Sequence, residues 1–215
     1  MVRKGAGRHC ALNAAHIPVL TVDRTANGGD VIAHIGTDNV TAGQVAAKTF
    51  FDAIGGKGNI AILEGVPGAS PTIDRGKGIQ NVLKDYPGIK VVASQTANFQ
   101  RAEGLTVAQN ILQAHPDIVG ILSENDEMAL GAVQALQAAG KTDVKVIGID
   151  GETDSYNAIK AGQMVATIAQ QPALMGSQSI DQAVKVVQGQ TIEKSQPVDI
   201  IVVTKDNVDQ YLTKK

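Results

Sequence analysis

The chain has 215 residues, of which 43% are hydrophobic and 19% charged, enough for a sizeable core and too ordered a composition for wholesale disorder. Nineteen Lys and Arg against 21 Asp and Glu give a net charge of −2, which speaks against a basic nucleic-acid face. Cys10 is the single cysteine, so an intramolecular disulfide and a multi-cysteine zinc site are excluded.

Residues 1–10 are glycine-rich and basic, with no apolar period, and are expected to be an unstructured or non-native leader. Residues 11–22 do not read as an export signal, because Asn13, His16 and Pro18 interrupt the apolar stretch. No apolar run reaches the roughly 18 residues a membrane span needs, so direct membrane insertion is not expected. A short helical piece then leads to a first strand at 17–22. Further short apolar runs follow at 59–64, 89–94, 118–122, 144–149, 164–169 and 198–203. Such runs predict strands buried on both faces. Between them, helical spacing appears at 40–54, 73–84, 101–114, 127–139, 155–161 and 173–187. The helices stop at Gly55-Gly56, Pro87-Gly88, Pro116 and Gly140.

Four strand starts, near 60, 89, 118 and 145, are spaced by 29, 29 and 27 residues. That spacing suits successive βαβ units with right-handed crossovers. The predicted fold class is therefore α/β, with parallel sheets flanked by helices. A parallel sheet that begins this late reads as cut open on its N-terminal side.

In open α/β sheets, ligands bind beyond the carboxyl ends of the strands. At those ends stand Asp23 and Arg24, the loop 65–72 followed by Asp74 and Arg75, Phe99, the run Ser123-Glu124-Asn125-Asp126, Asp150, and Gln170. The aspartates accept, the arginines donate, and Asn125 and Gln170 do both. Phe99 offers a flat apolar face. Polyols need this mixture, since each hydroxyl donates and accepts and the ring has a C–H face. The balance of charge demands no charged ligand. Simpler roles stand beside these: Asp126 or Asp150 as a helix N-cap, Arg75 as a solvated surface arginine, Phe99 as core.

Enzyme motifs fail one by one. Gly76-Lys77 is followed by Gly78, and position 71 is Pro71, so there is no phosphate-binding Walker loop. No G-x-G-x-x-G follows a strand. Residues 68–72 miss the nucleophile elbow at Thr72. His9, His16, His34 and His115 have no metal spacing, and His34 reads as a core histidine. Asp150 and Glu152 could pair for acid–base work, but no nucleophile or metal accompanies them. The chain is not expected to be an enzyme, and no cofactor is implied.

Six segments resemble the ribose-binding proteins, the bacterial periplasmic binding proteins of ABC-type sugar importers. They are Ile17-Pro18-Val19-Leu20-Thr21-Val22-Asp23-Arg24, His34-Ile35-Gly36-Thr37-Asp38-Asn39, Asp74-Arg75-Gly76-Lys77-Gly78, Glu124-Asn125-Asp126-Glu127-Met128-Ala129-Leu130-Gly131, Val146-Ile147-Gly148-Ile149-Asp150-Gly151 and Ala166-Thr167-Ile168-Ala169-Gln170. The resemblance runs from about Ala11 to the C-terminus. It implies a type I periplasmic-binding-protein fold. A complete C-terminal lobe would comprise 39–170 and 200–215, and a remnant of the N-terminal lobe would comprise 11–38 and 171–199. It implies that Asp23, Arg24, Arg75, Phe99, Asn125, Asp150 and Gln170 contact a monosaccharide, D-ribose by resemblance. Phe99 would cover one face of the pyranose. The lobes would hinge at three crossings, and the partners would be the sugar and the membrane permease. Family members begin with an export signal and two further βα units, the first strand ending in Asn and aromatic contacts. This chain departs from them there, so it is expected to be N-terminally truncated, from an altered reading frame or a misplaced start. The family is periplasmic, although no export signal is read in this chain. A second reading is the sugar-sensing effector domain of a LacI-type transcriptional repressor.

Overall fold

A computed structural model describes residues 6–26 and 28–212. In chain order the elements are α1 (Ala6–Ala14), β1 (Leu20–Val22), β2 (Ala33–Gly36), α2 (Asn39–Ala53), β3 (Lys57–Glu64), α3 (Ser70–Leu83) and β4 (Gly88–Thr96). They continue with α4 (Arg101–Ala114), β5 (Ile118–Ser123), α5 (Asp126–Ala138), β6 (Lys145–Asp150) and α6 (Thr153–Lys160). Last come β7 (Ala166–Ala169), α7 (Pro172–Val187), β8 (Ser195–Pro197), β9 (Ile201–Thr204) and α8 (Asp209–Leu212). The chain divides into two compact units. The first holds the described residues up to Asp38 together with Gln170–Ile200; the second holds Asn39–Ala169 and the described residues from Ile201 on.

The first unit is built on a three-stranded parallel sheet in the order β1-β2-β8. Its core is small: Ala33, Ile35, Met175 and Val198, with Leu20 and Ile192 against them. Met175 is the buried residue of α7 among those described. The same helix leaves Ile180 and Val187 at 65% and 86% exposure, so much of its apolar surface has no partner within this unit.

The second unit carries a six-stranded sheet in the order β4-β3-β5-β6-β7-β9. Neighbours from β4 to β7 pair in parallel, and β9 pairs antiparallel with β7. The central strands are apolar on both faces: Ile60, Ala61, Leu63, Ile121, Leu122, Val146, Ile147 and Ile149 are at most 0% exposed. Burial on both sides follows from helices covering a parallel sheet. Strand order reverses between β3 and β5, which makes their carboxyl ends the switch point of a doubly wound sheet.

Two helix pairs pack at unusually close range. A Cβ at Gly43 would lie 2.2 Å from the Arg75 carbonyl oxygen, and one at Gly78 would lie 2.2 Å from that of Val40. Gly104 and Gly131 repeat the arrangement between α4 and α5, at 2.6 Å from the Met128 carbonyl oxygen and 2.2 Å from that of Arg101. Backbone-to-backbone contact at Gly43 and Gly78 sets α3 against α2 and so aims the Arg75 side chain.

Several sequence expectations need correction. Ala6–Ala14 is helical, so the second half of the expected unstructured leader joins α1, which carries on through Ala11 and Leu12; residues 1–5 lie outside the described residues. The first strand is only Leu20–Val22, because Ala15, His16 and Ile17 turn back on α1, His16 at φ 56°. Of the strand expected at 198–203 only residues 201–203 are strand, in β9; β8 ends before it at Pro197, and residues 198–200 join strands that belong to different units. β2 was not foreseen. His34 lies on it, half-buried, with Nδ1 2.9 Å from the Thr21 hydroxyl across the strand pair. Gln170 and Ile200 group with the first unit, each one residue from the expected boundary.

Candidate functional site

Arg75 is the best-defined candidate. It lies on α3 at 3% exposure, not on the solvated surface. Its Nε donates to Asn39 Oδ1 at 2.8 Å, and Nη1 donates to the Glu124 carbonyl oxygen. Nη2 lies 3.3 Å from Asp150 Oδ1. The side chains of this ion pair are 4% and 25% exposed, so the guanidinium is held from behind while the carboxylate reaches solvent. A buried arginine fixed in this way presents its remaining N–H groups in a set direction, as recognition of a hydroxyl or ring oxygen requires.

Asn125 is the N-cap of α5: Oδ1 accepts from the Met128 amide at 3.0 Å. Its Nδ2 donates to the Phe99 carbonyl oxygen at 3.4 Å. The N-cap role considered for Asp126 therefore falls one residue earlier, since Asp126 is already the first helical residue. Asp126 is fully buried. Its Oδ2 accepts from the amides of Gly151 (2.8 Å) and Glu152 (2.9 Å) and from the Ser155 hydroxyl (2.7 Å). Its Oδ1 accepts from the Thr167 hydroxyl at 2.7 Å. Burial pushes its pKa up, against these four hydrogen bonds, which favour the charged form.

Phe99 is half-buried and follows Asn98 in a left-handed pair, at φ 60° and 53°. Its ring lies over Gly65, where a Cβ would sit 2.0 Å from Phe99 Cζ. Only glycine at 65 leaves room for the ring. The Gly65 amide donates to Glu124 Oε2 at 2.8 Å. Glu124 is 1% exposed, and burial raises its pKa to about 7 despite the Gly65 hydrogen bond and the Arg75 charge.

Arg75, Phe99, Asn125 and Asp150 thus come together at the carboxyl ends of the second unit's strands. The other three candidates belong to the first unit. Asp23 and Arg24 follow β1 and approach each other at 3.8 Å, both more than half exposed. Gln170 accepts from the Thr37 hydroxyl at 2.9 Å through Oε1. Gln171 donates to the Asp199 carbonyl oxygen at 2.8 Å. These bonds link the three segments near which the chain passes between units.

Backbone strain concentrates on the candidates. Among the described residues, five non-glycine residues have positive φ, and Asp23 (65°), Phe99 (60°) and Asp150 (137°) are three of them. Strain of this kind costs on the order of 1–3 kcal/mol and persists where surroundings over-determine it, commonly at ligand sites. Among the described residues no cluster of three or more His, Cys, Asp or Glu could hold a metal ion, and no helix is long and apolar enough to cross a membrane. Sequence reasoning placed Glu124 and Asp126 at a strand end but did not find their tertiary partners. The available signal was two acidic residues set between apolar runs.

The doubly wound sheet and its strand-end polar groups define a binding domain of the two-unit α/β kind. The family profile of the periplasmic binding protein domain matches residues 11–191, and the chain belongs to that family. It is 43% identical over 193 residues to the ribose import binding protein of Escherichia coli, covering 90% of this chain and 65% of that protein. It is 44% identical over 183 residues to the ribose import binding protein of Bacillus subtilis, with coverages of 85% and 59%. The chain thus spans less than two thirds of the length of these curated relatives. Among solved structures, a periplasmic solute-binding protein from Actinobacillus succinogenes with bound D-allose superposes with a TM-score of 0.89 at 37% identity, covering 95% of this chain and 75% of that one. The myo-inositol binding protein of Caulobacter does so with a TM-score of 0.89 at 34% identity, with coverages of 98% and 74%.

Proposed function

We propose that the chain is part of a solute-binding protein that captures a monosaccharide, D-ribose, for an ABC-type sugar importer in the periplasm. The observation that carries this reading is the buried Arg75 guanidinium, oriented by Asn39 and the Glu124 carbonyl and paired with the more exposed Asp150. Donor and acceptor stand side by side, with the Phe99 ring beside them on the same unit, as a hydroxylated ring requires. Asp23, Arg24 and Gln170, within the first unit, carry the same kinds of donor and acceptor. Relatives named for ribose import support ribose. Solved relatives carrying D-allose or myo-inositol support the wider class of cyclic polyols. The role is reversible binding, not turnover. Its partners are the sugar and the importer's membrane permease, and the three interlinked crossings would serve as the hinge for closure.

Thermal unfolding with and without sugar tests the reading. A ligand at 100 times its Kd adds about 2.7 kcal/mol, roughly 5–10 °C for a chain of this size. D-ribose is expected to give that shift, with D-allose, myo-inositol and L-arabinose giving less. A larger shift with another sugar overturns ribose; no shift with any overturns sugar capture by this chain.

A further inference from the structure

The turn after β5 sends three consecutive side chains to three different loops. Glu124 bonds the Gly65 amide in the β3–α3 loop, 59 residues away. Asn125 bonds the Phe99 carbonyl in the β4–α4 loop. Asp126 bonds the Gly151 and Glu152 amides in the β6–α6 loop, immediately after Asp150. β5 lies beside β3 and β6 in the sheet, so the end of this strand is the one place from which short side chains reach both flanking loops.

The fit is built from both sides. Gly148 leaves space for Asp126, since a Cβ there would lie 2.1 Å from Oδ1. Asp126 holds the Gly151 amide while Asp150 sits at φ 137° and Gly151 at 86°, a turn the backbone does not favour unaided. Glu124 fixes the amide of the glycine on which the Phe99 ring rests, and its own carbonyl oxygen receives Arg75. The charged groups facing Glu124 are Arg75 and Glu64. At 1% and 0% exposure, Glu124 and Asp126 are themselves out of reach of a ligand.

We propose that Glu124 and Asp126 are positioning residues: Glu124 holds the Gly65 loop under Phe99 and behind Arg75, and Asp126 holds the strained turn that presents Asp150. The link to sugar affinity rests on the reading of Arg75, Phe99 and Asp150 as sugar contacts. The positioning itself does not.

Amide hydrogen exchange on the whole ligand-free chain separates the two. Asp126→Ala is expected to speed exchange at Gly151 and Glu152 by about tenfold or more, the weight of one or two lost hydrogen bonds, and to leave Gly65 unchanged. Glu124→Ala should do the converse. Asp126→Asn and Glu124→Gln, which keep one acceptor oxygen, should restore most of the protection. If Asp126→Ala does not fold, Asp126→Asn carries the test with a smaller change, about threefold, confined to the Gly151 and Glu152 amides. Equal acceleration of both loops, or no change in either, overturns the proposal. In a second arm, D-ribose titration should show about tenfold weaker binding by each alanine variant. Loosened loops with unchanged affinity would overturn their part in binding. A wild-type chain that binds no sugar would overturn the sugar reading, while the exchange result would still decide the positioning.

Discussion

Glu124→Gln should make the protein more stable, and increasingly so as pH rises. The folded-state pKa of Glu124 is raised from an ordinary 4.5 to about 7, with burial the largest cause. Below pH 4.5 the group is protonated whether the chain is folded or not, and ionisation costs the fold nothing. As pH rises toward 7 the unfolded chain releases its proton while the folded chain retains it, so stability falls. Above 7 the full cost is present. A shift of about 2.5 units corresponds to roughly 3 kcal/mol. Glutamine keeps an oxygen for the Gly65 amide and cannot ionise. The stability difference between variant and wild type should therefore grow by about 3 kcal/mol from pH 4.5 to 8 and level off beyond. The chain has no tryptophan, so urea unfolding followed by far-UV circular dichroism at pH 4.5, 6, 7 and 8 is the suitable assay. Asp126, whose pKa is also raised, is present in both proteins and cancels. Parallel pH profiles for the two proteins would refute the reasoning.

Arg75→Lys removes the fork that engages Asn39, the Glu124 carbonyl and Asp150 together, and should abolish measurable sugar binding by calorimetry while the circular dichroism spectrum is kept. Gly65→Ala forces the Phe99 ring aside and should weaken sugar binding at least tenfold in the same titration. Gly43→Ala puts a methyl group against the Arg75 carbonyl and should cost about 1–3 kcal/mol or more by urea unfolding, through overpacking. Asn125→Ala removes the α5 N-cap and should cost about 1 kcal/mol in the same assay.

Much of the second unit was legible because its strands are apolar on both faces. The runs through Ile60–Leu63, Ile121-Leu122 and Val146–Ile149 admit few other readings. What was missed depends on distant partners. β8 is Ser-Gln-Pro and has no apolar signal; it is a strand because Ser195, Gln196 and Pro197 lie in register with His34, Ile35 and Gly36. Residues 198–203 read as one strand since five of the six are apolar, yet Asp199 falls where the chain leaves one sheet for the other. The candidate residues were visible as types at strand ends. The burial of Arg75 was not, because it follows from two glycines, Gly43 and Gly78, that allow two helix backbones to touch. Nor could the partners of Asp126 be read, as Gly151, Glu152, Ser155 and Thr167 lie 25 to 41 residues away.

The two acidic residues beside Asn125 bear on how a polar site is held on an apolar sheet. A carboxylate buried at a strand end is unfavourable by itself, as the raised pKa values of Glu124 and Asp126 record. The sheet tolerates both because each finds backbone amides that have no ladder partner, those of Gly65, Gly151 and Glu152, at the points where strands turn into helices. Each bond therefore meets two needs: the amide would otherwise be orphaned, and the carboxylate would otherwise be unpaired. The consequence is that the loops bearing Phe99's platform and Asp150 are fixed from the protein side before any ligand arrives. A site held in this way loses less entropy on binding than one that must order its loops, which would suit the proposed capture of a small, weakly hydrophobic ring.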